Sequence, residues 1–192
     1  MRYIPGMSED HLLNPTSPYG AGKVAADLLL TSYYQMFDVD VSIIRAFNMY
    51  GPRQNIGAYS AIIPMTVRRI LRGERPVIEW DGLQTRDLTY VRDVVEASVK
   101  MLSCKQAVGK IINVGQGEET SIKQIIQAIC EEMDYPFRNV EYRPKRPGDV
   151  RRHLADISMA WAYLDYKPTT SLKAGLKKTI EWFKESIKKN TG

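Results

Sequence analysis

The sequence has few of the residues that build disulfide scaffolds and metal centres. Its 192 residues include only two cysteines, Cys104 and Cys130, and two histidines. The cysteines lie far apart in helix-like segments, so the sequence predicts neither a disulfide framework nor a metal site, and we expect a cytoplasmic protein. No apolar run reaches the roughly 20 residues that cross a bilayer, and the first residues lack the apolar core of a signal peptide. We therefore expect no membrane partner.

A second absence concerns cofactor loops. A dinucleotide-binding loop has the pattern Gly-x-Gly-x-x-Gly/Ala directly after a buried strand. Residues 20–25 match this pattern, but the proline-containing segment 14–18 before them cannot be a central strand. Gly115-Gln116-Gly117 follows a predicted strand, but it lacks the third small residue and is better explained as a turn. The 192 residues therefore contain no glycine loop typical of dinucleotide binding.

The charge balance favours anionic partners. The formal net charge is +5 at neutral pH, which suits a nucleic acid or a sugar diphosphate equally well. One local cluster is strongly basic: Arg143, Lys145, Arg146, Arg151, Arg152 and His153. A non-catalytic basic module that binds nucleic acid or a protein partner is therefore an alternative. However, aromatic residues do not alternate with these charges and no nucleic-acid motif is present, so we expect no nucleic-acid partner.

Strands and helices alternate along the chain, which predicts an α/β fold. Ser121-Ile122-Lys123-Gln124 has the form of a capping box, and apolar residues follow it at helical spacing as far as Met133. Further helices are predicted over 17–37, 62–71, 92–104, 157–164 and 171–188. For the helix over 92–104, we expect Val94, Val95, Ser98 and Leu102 to share one side. Strands are predicted over 41–44, 77–78, 88–91, 110–114 and 140–142.

Tyr19 and Lys23 form the candidate reacting pair. Residues four apart on a helix share a face, so both side chains can act on one site. A free phenol has a pKa of about 10, and a nearby ammonium group stabilises the phenolate that abstracts a proton. Tyr163 and Lys167 have the same spacing, so chance pairing, with a solvated lysine beside a half-buried phenol, is the alternative. Ser17-Pro18 and the small residues that surround the first pair favour a site there.

Four ordered segments resemble one family. They are Tyr19-x-x-x-Lys23 after Ser17-Pro18, Arg45-x-Phe47-Asn48-x-Tyr50-Gly51-Pro52, Asp81-Gly82-x-x-x-Arg86-Asp87-x-x-x-Val91-x-Asp93, and Arg146-Pro147-Gly148-Asp149. Together they resemble the extended short-chain dehydrogenase/reductase family of NAD-dependent nucleotide-sugar epimerases, dehydratases and decarboxylases. The stretch from Gly51 to Tyr59 is most similar to UDP-glucose or UDP-N-acetylglucosamine 4-epimerases.

The resemblance implies a role for each matching residue. Tyr19 would be the catalytic base and acid, and Lys23 would tune it and hold the ribose of NAD. Phe47 would lie near the nicotinamide, and Asn48 would contact the UDP-sugar. Arg86 and Arg146 would bind the diphosphate, since guanidinium groups fit phosphate oxygens bidentately. Asp149 would meet the nucleotide ribose.

The resemblance also implies an architecture and a reaction. Residues 1–60 would be a remnant of a doubly wound, Rossmann-type domain that lacks its first strands. Residues 61–192 would mainly form a smaller α/β substrate domain, with some segments returning to the sheet. The chain would be the C-terminal part of a homodimeric 4-epimerase that transiently oxidises sugar C4, and it would be inactive alone. A 4,6-dehydratase or a UDP-glucuronate decarboxylase is the alternative within the family.

One departure from the family pattern affects the expected site. Family members often have Tyr-Gly-Asp-Gly where this chain has Glu79-Trp80-Asp81-Gly82. The wall expected near the uracil base therefore differs, and the identity of the base stays open.

Overall fold

The structure is a computed structural model that describes residues 6–55, 61–146 and 148–190. The predicted motif residues Gly57, Ala58, Tyr59 and Pro147 lie outside this part. The helices are α1 (Pro18–Phe37), α2 (Ile62–Leu71), α3 (Val91–Ser103), α4 (Ile122–Glu132), α5 (Ser158–Leu164) and α6 (Leu172–Asn190). The strands are β1 (Ile43–Ala46), β2 (Val77–Glu79), β3 (Thr85–Arg86), β4 (Ile111–Val114), β5 (Thr120–Ser121) and β6 (Glu141–Arg143). None of the described helices combines the length and the apolarity needed to cross a membrane.

The strands form three two-stranded sheets. β1 pairs in parallel with β4, with Ile43 opposite Ile111, and β2 pairs in parallel with β6. β3 and β5 form a short antiparallel pair. Parallel neighbours require crossover connections, and α3 lies in the connection between β1 and β4. The α/β prediction is confirmed.

The described residues form two hydrophobic clusters. The first is built around β4, α3 and α5, with Ile112 and Val114 fully buried. The second joins α2, α4 and α6. β4 comes after residue 60 in the sequence but pairs with β1. A domain boundary at residue 60 stays a prediction.

The start of α4 follows directly from its sequence. The Ser121 hydroxyl accepts a hydrogen bond from the Gln124 amide at 3.2 Å, and the Gln124 side chain accepts one from the Ser121 amide at 2.9 Å. This reciprocal capping satisfies two amides that a helix start leaves unpaired. The predicted apolar stripe is also confirmed, since Ile122, Ile125, Ile126 and Ile129 are buried.

The predicted strand over 88–91 is wrong. The antiparallel strand lies earlier, at Thr85–Arg86, and Val91 already begins α3. Within the described ranges, the β-pairing of this segment is a single isolated β-bridge between Tyr50 and Tyr90. β1 also begins at Ile43, two residues later than predicted.

The apolar residues predicted to share one side of α3 do not all face the core. Val95 and Leu102 are 52% and 90% exposed, whereas Asp93, Val94, Ala97 and Met101 face the core. Asp93 is 1% exposed because its carboxylate receives hydrogen bonds from the amides and hydroxyls of Thr169 and Thr170. These bonds tie the start of α3 to the segment that leads into α6, and they fix which side of α3 turns inward.

This network predicts that Asp93→Ala destabilises the fold strongly. Removing a buried charged acceptor leaves several donors without a partner, and the expected cost is about 3 kcal/mol in the free energy of unfolding. Urea denaturation measures it. Glu96→Ala is the matched control on the same helix, because Glu96 only forms an exposed pair with Arg92, worth less than about 0.5 kcal/mol. Equal losses for the two variants would contradict the assignment.

Candidate functional site

A cavity of about 330 Å³ opens between the ends of β1, β2 and β3 and the loop that precedes residue 150. Asn48, Arg86, Arg146 and Asp149 all line it, although they come from three distant parts of the sequence. Its remaining wall is largely apolar: Met49, Tyr50, Ala61, Ile62, Ile63, Met65, Leu88 and Ile122. A mostly apolar cleft with a few convergent polar groups is typical of a small-molecule site. The structure therefore brings together the four residues predicted to bind substrate.

Both cavity guanidinium groups have carboxylate partners. Arg86 forms an ion pair with Asp149, and its other nitrogen donates to the carbonyls of Thr85 and Val150 at 2.8 and 3.0 Å. Arg146 forms an ion pair with Glu79. The Arg86 side chain is only 15% exposed, whereas that of Arg146 is 52% exposed. Arg86 is thus held rigidly in the cavity wall, and Arg146 lies at its mouth.

Asn48 is held in an unusual backbone conformation. Its φ angle is +29°, which asparagine tolerates better than most residues. Its amide nitrogen lies 2.9 Å from the Asp87 carbonyl oxygen and 2.9 Å from Nδ1 of His153. Because the amide donates, Nδ1 must be the unprotonated nitrogen of a neutral imidazole. Burial, helped by the positive charge of Arg86, lowers the pKa of His153, which agrees with a neutral ring.

Phe47 lies next to Asn48, but its ring does not line the cavity. It is 8% exposed and stacks on His153, with ring centroids 4.7 Å apart. Phe47 therefore packs behind the cavity wall, where it contacts His153, the partner of Asn48. Its predicted contact with nicotinamide stays a prediction.

Asp87, beside Arg86, is fully buried and joins three segments. Its carboxylate accepts hydrogen bonds from the amides of Gln116, Gly117 and Ala155 at 2.6, 3.0 and 3.1 Å. Burial raises the pKa of Asp87, and these three hydrogen bonds oppose that rise. The turn at 115–117 thus serves to bind a protein carboxylate.

Tyr19 and Lys23 lie together on α1, outside the lining of the cavity. Tyr19 is 67% exposed, and Lys23 Nζ lies 5.7 Å from the centroid of its ring. Ser17 caps the helix start by accepting from the Gly20 amide at 3.1 Å. Thr16, three residues before Tyr19, approaches the cavity, since a Cβ atom placed on the lining residue Gly148 would lie 3.6 Å from the Thr16 carbonyl oxygen. The pair is thus close in sequence to the cavity rim and open to a ligand.

Three residues of the site were not predicted from the sequence. Gln84 and Glu79 line the cavity, and His153 supports Asn48 from 105 positions away. The Glu79 departure from the family pattern was the one available signal. Residue type placed His153 in the basic cluster but did not indicate its contact with Asn48, and neither spacing nor residue type singled out Gln84.

The basic cluster of the sequence is largely neutralised. Arg143 pairs with Glu141, Arg151 with Asp81, and Arg152 with Glu119. These contacts lower the pKa of Asp81 and of Glu119. Lys145 and Arg151 lie over the ring of Trp80, 4.3 and 4.6 Å from its centroid. The arginines of the cluster are therefore held in ion pairs, including Arg146 with Glu79, which gives little support to a nucleic-acid surface.

The arrangement suits a diphosphate ester. Two guanidinium groups can exchange carboxylate oxygens for phosphate oxygens of similar geometry, and the apolar wall can cover a nucleoside. Among the described residues no group of three metal-ligating side chains occurs.

Comparison with known proteins places the chain in a family. The sequence matches the family described as GDP-mannose 4,6 dehydratase over residues 2–179. It is 38% identical over 177 residues to the UDP-glucose 4-epimerase of Mycolicibacterium smegmatis, covering 92% of this chain and 56% of that protein. Relatives with other names include a UDP-N-acetyl-α-D-glucosaminuronate decarboxylase of Bacillus cytotoxicus (32% identical, 92% of this chain and 57% of that protein) and a dTDP-glucose 4,6-dehydratase of Streptomyces griseus (31%, 92% and 52%).

Solved structures agree with this assignment. The UDP-glucose 4-epimerase of Thermotoga maritima with UDP-glucose superimposes with a TM-score of 0.89 at 31% identity, over 96% of this chain and 59% of that one. The UDP-glucuronic acid 4-epimerase of Bacillus cereus, in complex with UDP-glucuronic acid and NAD, gives 0.86 at 32% identity, over 96% and 58%. The chain thus spans little more than half the length of the relatives it matches. It belongs to the GDP-mannose 4,6-dehydratase family of nucleotide-sugar epimerases and dehydratases, and its α/β fold is that of the Rossmann-type epimerases.

Proposed function

We propose that this chain supplies the nucleotide-sugar-binding part of an NAD-dependent 4-epimerase that acts on a UDP-sugar. The observation that supports this most is the cavity in which Arg86, Arg146, Asn48 and Asp149 converge. The diphosphate takes the place of carboxylate oxygens at the two guanidinium groups. Asp149, released from Arg86, then accepts a hydrogen bond from a ribose hydroxyl. Asn48 contacts the sugar or the diphosphate.

The residues that would hold NAD fit one end of that cofactor. Tyr19 and Lys23 share an exposed face on which a ribose can hydrogen-bond to an ammonium group. The printed sequence offers no strand-linked glycine loop for the pyrophosphate of the cofactor. NAD, when bound, supplies the acceptor and donor of the hydride at sugar C4.

Tyr19 performs the proton transfer in this proposal. Its phenolate takes the proton of the C4 hydroxyl and later returns it to the C4 oxygen of the epimer. Lys23, one helical turn away, stabilises the phenolate by its charge. Because neither side chain lines the cavity, substrate binding and proton transfer depend on different residues of this chain.

A 4,6-dehydratase or a UDP-glucuronate decarboxylase shares the first oxidation. Epimerase is preferred because the motif after Gly51 is similar to 4-epimerases and because the relative at 38% identity is named UDP-glucose 4-epimerase. Incubating a turnover-competent form of the enzyme with UDP-glucose, UDP-N-acetylglucosamine and UDP-glucuronate distinguishes the three reactions by their products.

Arg86→Ala should weaken the binding of UDP to this chain by about 10- to 100-fold, because hydrogen bonds to a charged group contribute about 1.5–3 kcal/mol. Isothermal titration calorimetry measures the change. Arg143→Ala is the matched control, since it also removes one positively charged guanidinium group, but one that does not line the cavity. Tyr19→Phe should leave UDP binding unchanged. Equal affinities for Arg86→Ala and Arg143→Ala would contradict the placement of the diphosphate.

The affinity for UDP-glucose should be constant from pH 8 down to about 6.5 and fall at more acidic pH. Because the pKa of His153 is lowered, its ring stays neutral until the pH falls below the ordinary pKa of histidine. Once Nδ1 is protonated, it can no longer accept a hydrogen bond from the Asn48 amide. UDP-glucose is the better ligand for this measurement than UDP, because UDP has a terminal phosphate that itself titrates near pH 6. His153→Gln, which retains an acceptor, should flatten the profile. A fall of the same size in this variant would assign the effect to another group.

The 192-residue chain alone, mixed with NAD and UDP-glucose, should form no C4 epimer detectable by NMR. The physical reason is that these residues include no loop to bind the cofactor pyrophosphate. Titration of NAD provides the direct check, and micromolar binding would show this expectation to be wrong.

A further inference from the structure

Gln84 carries a hydrogen-bond acceptor that the fold itself does not use. The side chain is 2% exposed and lines the cavity. Its amide nitrogen donates to the Glu79 carbonyl oxygen at 2.7 Å. Its Oε1 atom is buried and has no hydrogen-bond partner within the part of the chain that the structure describes.

The orientation of this amide follows from its partner. A backbone carbonyl can only accept, so the group that faces the Glu79 carbonyl must be the NH₂ end of the side chain. Oε1 is therefore fixed as the free end. A buried acceptor without a donor is destabilising, and native structures usually satisfy such atoms with a ligand or a water molecule.

The position of Gln84 in the cavity indicates which part of the proposed ligand it would contact. Gln84 lies two residues before Arg86, and its own carbonyl accepts from the amide of the lining residue Ile122 at 2.9 Å. Apolar side chains of α2 line the same cavity. If the diphosphate binds Arg86 and the sugar extends towards the start of α1, the nucleobase lies on the Gln84 side. This step rests on the proposed function.

We propose that Gln84 determines base specificity, with Oε1 accepting a hydrogen bond from the ring N–H of the base. Uracil, thymine and guanine present such a ring N–H on their pairing edge. Cytosine and adenine present an unprotonated ring nitrogen at that place, so two acceptors would face each other. A site built around a hydrogen bond rejects analogues that lack the donor.

The test compares nucleotides on the intact chain by calorimetry. UDP should bind about tenfold or more tightly than CDP, and 3-methyl-UDP, in which a methyl group replaces the ring N–H hydrogen, should lose affinity by a similar factor. Gln84→Met keeps the length of the side chain but has no amide. It should bind UDP about as weakly as CDP, while CDP binding stays near the wild-type value.

The outcomes separate this inference from the proposed function. Binding of UDP with no preference over CDP or 3-methyl-UDP overturns the role of Gln84 and leaves the diphosphate site intact. Failure of the wild-type chain to bind UDP or UDP-glucose overturns the proposed function itself, and the role of Gln84 with it. The two ligand comparisons need no variant, so a Gln84→Met protein that does not fold still leaves a decisive result.

Discussion

The candidate site depends on one buried carboxylate. Asp87 binds the amides of Gln116, Gly117 and Ala155 through its side chain, and its own backbone holds both Asn48 and His153. The ends of β1 and β4 and the segment that follows the cavity loop are therefore fixed to one residue. A buried charge is tolerated only when its hydrogen bonds are complete, so these segments must keep their spacing together. Arg86, the residue before Asp87 and the last of β3, receives its position in the cavity wall from the same network.

The sequence predicted well the features that depend on interactions between neighbouring residues. It predicted less well those that depend on contacts between distant residues. The start of α4 depends on two side chains three residues apart, and it was predicted in detail. Leu88, Thr89 and Tyr90 are buried, but instead of a strand the segment has a single β-bridge, from Tyr90 to Tyr50. Burial follows from composition, whereas a strand needs a partner of matching length. The prediction that Asn48, Arg86, Arg146 and Asp149 share a site came from a resemblance across four ordered motifs. His153 and Gln84 could not be found, because their roles depend on contacts with backbone atoms and side chains that no local pattern specifies.

Hydrophobic surface on α1 and α3 needs an explanation beyond this chain. No residue of α1 is buried, and Leu28, Met36 and Phe37 are each more than half exposed. On α3, Val99 and Leu102 are similarly exposed. Contiguous apolar surface of this kind is typical of a contact face. The relatives are longer, since this chain spans 56–59% of them, and the homodimer stays a prediction.

In the proposed function, the ion pairs of the cavity determine how strongly a diphosphate binds. Arg86 and Arg146 are already neutralised by Asp149 and Glu79, so a ligand must replace existing partners, and affinity reflects the difference between two sets of charged hydrogen bonds. The exchange is asymmetric. Arg146 is half exposed and can turn to a phosphate with little loss, whereas Arg86 also donates to two backbone carbonyls and must receive the ligand where it stands. In that proposal, the buried guanidinium of Arg86 sets the position of the diphosphate, and the more exposed one of Arg146 adds attraction. Specificity must then come from groups that do not exchange, and in this cavity the buried amide of Gln84 is such a group.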